Sequence, residues 1–230
     1  MILENFKLMI TCEHAHNALP ATSGANENSV DGTLVIPQEI LNSHRGYDIG
    51  AFDVYSKLVQ QFKPDFSSAG KYSRLFIDLN RSLWNKNVFS EFWSKTKNFA
   101  LRKQAFAYYL EYRNAIEHFV EQNISESPIV HLAIHSFTPE LNGNVRNTDI
   151  GILYDPSNPA EQVYADVIID EIKSKFPQYK VRRNYPYQGK TDGLCSSLRK
   201  ITDSLIREEK SQHSYAGFEI EINQKLFFVV

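Results

Sequence analysis

Residues 6–20, FKLMITCEHAHNALP, constrain this chain more than any other segment. They begin as an apolar run, Leu8-Met9-Ile10, of the kind that forms a buried strand. Within a few residues the run gives way to Cys12, Glu13, His14, His16 and Asn17, and it stops at Pro20. A buried strand that ends in groups able to bind metal or move protons is how α/β enzymes present their chemistry. Four further stretches repeat the pattern: RLFIDLNR, VHLAIHS, DIGILYD and GFEIEIN. One sheet whose strand ends converge on one site is the expectation.

At 230 residues the chain can form one large domain with a substantial core, and no linker, repeat or low-complexity tract divides it, so residues 1–230 read as a single domain. A net charge of −2 gives no general attraction to nucleic acid or to an anionic membrane. No apolar run approaches the roughly 20 residues of a membrane helix. The first ten residues lack the basic and long apolar regions of a secretory signal. Cys12 and Cys195 are far apart and read as two free thiols in a reducing cytoplasm.

Taken in order, residues 21–31 form a polar loop and 37–42 a short helical turn. Residues 47–62 form a helix that ends before Pro64, with His44 and Asp48 on one face if the helix already includes His44. Residues 74–79 alternate as a strand, with Leu75, Ile77 and Leu79 opposite Arg74, Phe76 and Asp78. Residues 99–122 form a long helix with a stripe through Phe106, Tyr109, Leu110, Arg113, Ile116, Phe119 and Val120. A strand at 129–134 ends at His135-Ser136, a turn-rich loop covers 142–147, and 149–154 form another strand. Residues 160–176 form a helix with Val163, Val167, Ile168, Ile172 and Phe176 on one stripe. A strand at 179–183, a helix at 193–208 and a strand at 217–222 complete the chain. Strands alternating with crossover-length helices imply α/β with a mostly parallel sheet.

Seven histidines are present. His118 and His131 lie mid-element and read as packed or surface residues, and His213 as solvated. His14 and His135 each directly follow an apolar strand. Two such imidazoles with a carboxylate make a catalytic zinc site with an open position, although two unrelated histidines are the plainer reading. Carboxylates are available at Glu13, Asp48, Asp78, Asp149, Glu219 and Glu221. Asp78 is close enough in sequence to orient Arg81. Glu219 and Glu221 share one strand face, either as a solvated edge or with Glu221 beside an activated water. Arg74, Arg81 and Arg146 flank strands, where their forks suit an anionic substrate or structural ion pairs. No GxSxG, GxGxxG, Walker A, HExxH or CxxC pattern is present.

Seven segments, TCEHAHNALP, HRGYDIGA, SRLFIDLNR, HSFTP, RNTDIGILYD, NYPYQG and GFEIEINQ, follow one another along the whole chain. With them the chain resembles the N-formylglutamate amidohydrolase family, most specifically through SRLFIDLNR and HSFTP. The resemblance implies a zinc-carboxypeptidase-like, phosphorylase/hydrolase-like fold: a mixed, mostly parallel sheet with helices on both faces. It implies one zinc ion per chain, with His14 and His135 as ligands. The residue three after His14 is Asn17, where the carboxypeptidases carry a glutamate ligand, so the third ligand comes from elsewhere: Asp48, with Glu13 and His44 as alternatives. Asn80 and Arg81 match the D-x-N-R segment that holds a substrate carboxylate. Glu221 matches the general base. Arg74 either stabilises the oxyanion or shares the substrate carboxylates with Arg81 and Arg146.

The activity so implied is zinc-assisted hydrolysis of N-formylglutamate or a similar small anionic N-acyl amino acid. Two other readings stand beside it: a zinc peptidase acting on small peptides, and a binding protein that keeps the fold without catalysis.

Overall fold

Alternation of side chains decides how the chain layers. The computed structural model describes residues 5–21 and 34–228. In β1 (Lys7–Cys12) Met9 enters one core, while Ile10 and Cys12 enter another on the opposite face. There follow α1 (Gln38–Leu41), α2 (Ala51–Phe62), β2 (Phe66–Ala69), α3 (Phe99–Asn123), β3 (Ile129–Phe137), β4 (Glu140–Leu141), β5 (Asn144–Val145), β6 (Ile150–Leu153), α4 (Pro159–Lys175), β7 (Val181–Arg183), α5 (Leu194–Arg207) and β8 (Tyr215–Asn223).

Six strands form one sheet in the order β2-β1-β3-β8-β6-β7, and β4 pairs with β5 in a separate hairpin. Every neighbouring pair in the large sheet is parallel except β6 with β8. Helices cover both faces. On one side α3 and α5 pack over Met9, Ile129 and Tyr215. On the other, α2 packs over Ile10, Cys12 and Ile134, and α4 over Val130, Ile152 and Phe218. The fold is thus single-domain α/β with a mixed, mostly parallel sheet, as the sequence implies. Among the described residues no helix is long and apolar enough to cross a membrane.

The parallel register of β3 with β8 pairs His135 with Glu221 and Ala133 with Glu219. All four share the parity of Ile129 and Tyr215 and so project on the α3/α5 side. A slip of one residue would move the whole set to the other face. It would also drive Glu219 and Glu221 into the apolar core under α2 and α4, where nothing pairs with them.

Several expectations need correction. Residues 74–79 form turns, not a strand. Phe76 and Ile77, expected on opposite faces, are both fully buried. The carbonyls that a ladder would use are met by side chains: Ser90 Oγ donates to Leu75 O, Trp93 Nε1 to Phe76 O and Arg113 Nη1 to Leu79 O. The helix expected from residue 47 begins at Ala51. Its N-cap Gly50 has φ 79°, and a Cβ there would strike the Phe227 ring. His44 and Asp48 therefore precede the helix and share no helical face. β3 runs on through His135 and Ser136. The Ser-rich edge strand β2 and the two-residue strands β4 and β5, which run from Glu140 into the loop expected at 142–147, are too short to leave an alternating apolar signal. In α3 Tyr109, Arg113, Ile116 and Val120 of the expected stripe are buried, Leu101, Ala105, Tyr108 and Tyr112 join them, and Leu110 is exposed. In α4 Glu161, Ala165 and Ile169 are buried, while Val163, Val167 and the C-cap Phe176 are exposed. All but Ala21 of the loop expected at 21–31 lies outside the described residues.

Candidate active site

The chain turns sharply after β1, and Asp48 N donates to His14 O at 2.9 Å. That backbone bond fixes the segment before α2 beside the end of β1. It brings Asp48 between two imidazoles: Oδ2 lies 2.8 Å from His135 Nδ1 and 3.5 Å from His14 Nδ1. Ligand atoms of His14, Asp48 and His135 all lie within 4.8 Å of one another, and each residue is 3% exposed.

Each imidazole is held from behind by a carboxylate. His14 Nε2 lies 2.7 Å from Asp78 Oδ1. His135 Nε2 lies 3.0 Å from Glu13 Oε2, an ion-pair distance without hydrogen-bond alignment. Tyr112 on α3 donates to Glu13 Oε1 at 2.9 Å. This order leaves both Nδ1 atoms facing Asp48. Arg74 Nη2 donates to Asp48 Oδ1 at 3.0 Å and also contacts His14 Nδ1. A cation already rests against this lone pair and this carboxylate.

Charge in the cluster follows from its burial and its neighbours. Burial alone would lower the pKa of His135, but Asp48 and Glu13 outweigh it and raise it well above the usual imidazole value. Burial opposes ionisation of Glu13, yet its contacts with His135 hold it down to about 2. Asp48 is likewise kept ionised against burial, chiefly by Arg74 and His14, and Asp78 by His14. Glu221 is the exception. Burial first, then Asp48 and Glu219, push it up to about 8 against the pull of His135 and Arg74, and its Oε2 is buried without a hydrogen-bond partner. Its raised pKa and its unpartnered oxygen make Glu221 the carboxyl of this cluster most ready to exchange a proton.

An inner cavity of about 500 Å³ opens on the cluster, lined by Asn80, Arg81, Glu219 and Glu221 among others. Arg81 Nη1 donates to Asp192 O at 2.7 Å, and its Nε is 4.0 Å from Asp78. Asn80 Oδ1 accepts from Leu194 N at 2.7 Å, and its Nδ2 donates to Glu219 at 3.2 Å, which ties it to the start of α5. Arg146 lies outside this cavity. Its guanidinium donates to the Tyr187 hydroxyl at 3.1 Å and lines an adjoining lobe that shares Tyr187 and Asp48.

The structure thus brings His14, Asp48, His135, Arg74 and Glu221 together, with Asn80 and Arg81 along the wall and Arg146 in the adjoining lobe. Glu13 stands behind His135, and exposed His44 lines the outer lobe. Neither belongs to the converging triad. Two partners have weak sequence signals. Asp78 is claimed by Arg81 on spacing alone but lies closer to His14, and Tyr112 is hidden among other tyrosines of α3.

A family model described as N-formylglutamate amidohydrolase matches residues 6–228. The chain is also similar to the crystal structure of gene product Atu2144 from Agrobacterium tumefaciens, with a TM-score of 0.71 and 24% identity. That match covers 96% of this chain and 82% of the other, and it supports the fold. A search of curated proteins finds no match. The chain belongs to the N-formylglutamate amidohydrolase family, so it is a hydrolase of the amidohydrolase type.

Proposed function

We propose that this family member hydrolyses the amide bond of N-formylglutamate or a similar small anionic N-acyl amino acid, with one zinc ion held by His14, Asp48 and His135. The observation that carries the reading is the pair of Nδ1 atoms turned to one buried carboxylate, each ring backed at Nε2 by a further carboxylate. That backing is the usual support of metal-binding histidines, because it fixes ring orientation and tautomer. The mixed nitrogen and oxygen donor set suits zinc. When bound, zinc lowers the pKa of a water toward about 7 and polarises an acyl oxygen.

The chain's own residues do the rest. Glu221 takes the proton of the attacking water and returns it to the leaving nitrogen; a metal ion bound beside it would lower its raised pKa and free the carboxylate to accept. Arg74, beside Asp48, stabilises negative charge developing on the acyl oxygen. Asn80, Arg81 and Arg146 hold substrate carboxylates. The buried free thiols Cys12 and Cys195 suit a cytoplasmic protein.

The test compares Glu221→Gln with Glu219→Gln at matched zinc content. Glu221→Gln should retain zinc and lower kcat by at least about 100-fold, the scale of a lost general base. A dead Glu219 variant beside an active Glu221 variant would refute the assignment.

A further inference from the structure

The cleft is divided by charge. The inner cavity carries Glu219, Glu221 and Asp192, with Arg81 as its cation beyond the shared Arg74. The outer lobe, about 810 Å³, carries Arg45, Lys86, Arg102 and Arg146 against Glu91. The lobes meet at Asp48, Arg74, Asp78, Ser136 and Tyr187. Arg45 is already paired with Glu91. Arg146 belongs to the junction, through its bond to Tyr187.

Lys86 and Arg102 remain. Among the described residues neither has a carboxylate within ion-pair distance. Arg102 is held in place by aromatic faces, 4.9 Å above Phe89 and 5.4 Å above Trp93. His44 feels the same field: burial first, then Arg74, Arg45 and Arg146, hold its pKa down. A formyl group, one carbon and one oxygen, neither fills this lobe nor uses these cations.

We propose that the outer lobe is an anion subsite in which Lys86 and Arg102 receive a carboxylate borne by the acyl portion of the substrate. The favoured substrate is then an N-acyl amino acid whose acyl group is longer than formyl and acidic. With the amino acid's α-carboxylate at Arg81 and the scissile bond at the junction, the acyl side extends toward Phe89. This deepens the hydrolase reading above and rests on it for the direction of the substrate.

The test uses pairs that differ by one charge. N-glutaryl-L-glutamate is compared with its terminal amide, and L-glutamyl-L-glutamate with L-glutaminyl-L-glutamate; the second pair tells a peptide source of the carboxylate from a diacid source. In the zinc-loaded wild type, kcat/KM should favour the acid over the amide at least about tenfold in one pair, the scale of one charge-assisted contact. The preference should fall to within about twofold in the Lys86→Gln/Arg102→Gln double variant and be weakened but not abolished in Arg102→Lys, which keeps the charge and loses the stacked fork. Equal rates for acid and amide in both pairs, or a preference untouched in the double variant, would overturn the subsite. Should nothing be hydrolysed, N-formylglutamate included, the hydrolase reading fails by itself. Calorimetric binding of the same pairs then decides the subsite: the same acid preference supports it and equal affinities overturn it.

Discussion

Two networks of buried charge lie on one sheet and are built in opposite ways. In the first, α4 contributes Glu161 and α5 contributes Arg199. Glu161 Oε1 accepts from Arg199 Nε at 2.7 Å and from Gly217 N at 3.0 Å, and Oε2 accepts from Asp155 N at 2.7 Å. Arg199 spends its other donors on Gly189 O and Gly217 O. This network is closed. In the second, around His14, Asp48 and His135, Arg74 Nε and Glu221 Oε2 are buried without a hydrogen bond among the described residues, and Glu13 Oε2 and His135 Nε2 meet only each other, as an ion pair at 3.0 Å. A buried charge with every bond made holds elements together; one with bonds left over keeps capacity for a ligand. The difference separates a structural ion pair from a site, although both bury ionic side chains almost completely.

The contrast can be broken first at the closed network. Arg199→Ala leaves Glu161 buried and unpaired and should cost about 3–5 kcal/mol in urea unfolding. A loss below about 1 kcal/mol would mean that the network is not a structural tie.

A second test uses pH. His131, fully buried between the Thr11 and Tyr215 hydroxyls, is held down to about 4 from 6.5, first by burial. The unfolded chain then takes up this proton at higher pH than the folded one. Stability from His131 is therefore complete above pH 6.5 and is lost as pH falls toward 4, by up to roughly 3 kcal/mol. Replacement by Gln should flatten the curve in that window. An equally steep curve in the variant would assign the loss to other groups.

The open cluster gives the smaller effects. Glu13→Gln removes the charge behind His135 and should weaken zinc binding about 10- to 100-fold, as supporting carboxylates do. Tyr112→Phe removes one donor to Glu13 and should cost about 0.5–1.5 kcal/mol of stability. A larger loss of zinc affinity in Tyr112→Phe than in Glu13→Gln would reverse the order of support proposed for His135.

What was legible in the sequence follows the same division. Apolar runs breaking into polar residues mark the ends of β1, β3 and β8, and with them His14, His135 and Glu221. The sheet's alternation then gives the side on which Glu219 and Glu221 lie. Residues 74–79 mislead because their alternation is that of a paired strand; the carbonyls of Leu75, Phe76 and Leu79 are taken by Ser90, Trp93 and Arg113, contacts with no local signature. The stripe of α4 misleads because its buried face includes Glu161, whose partner Arg199 lies 38 residues on. Asp78 misleads in the same way: a sequence neighbour, Arg81, hides a closer spatial one, His14.

The central claim is that the open cluster holds a catalytic cation. Its most direct test is a calorimetric titration of zinc into the metal-free protein, with N-formylglutamate hydrolysis followed across the same titration and His135→Ala run in parallel. The account predicts that wild type binds one equivalent, that hydrolysis rises in step and levels off there, and that His135→Ala, still folded, does neither. Hydrolysis at full rate without metal, or one equivalent bound just as tightly by His135→Ala, would contradict it.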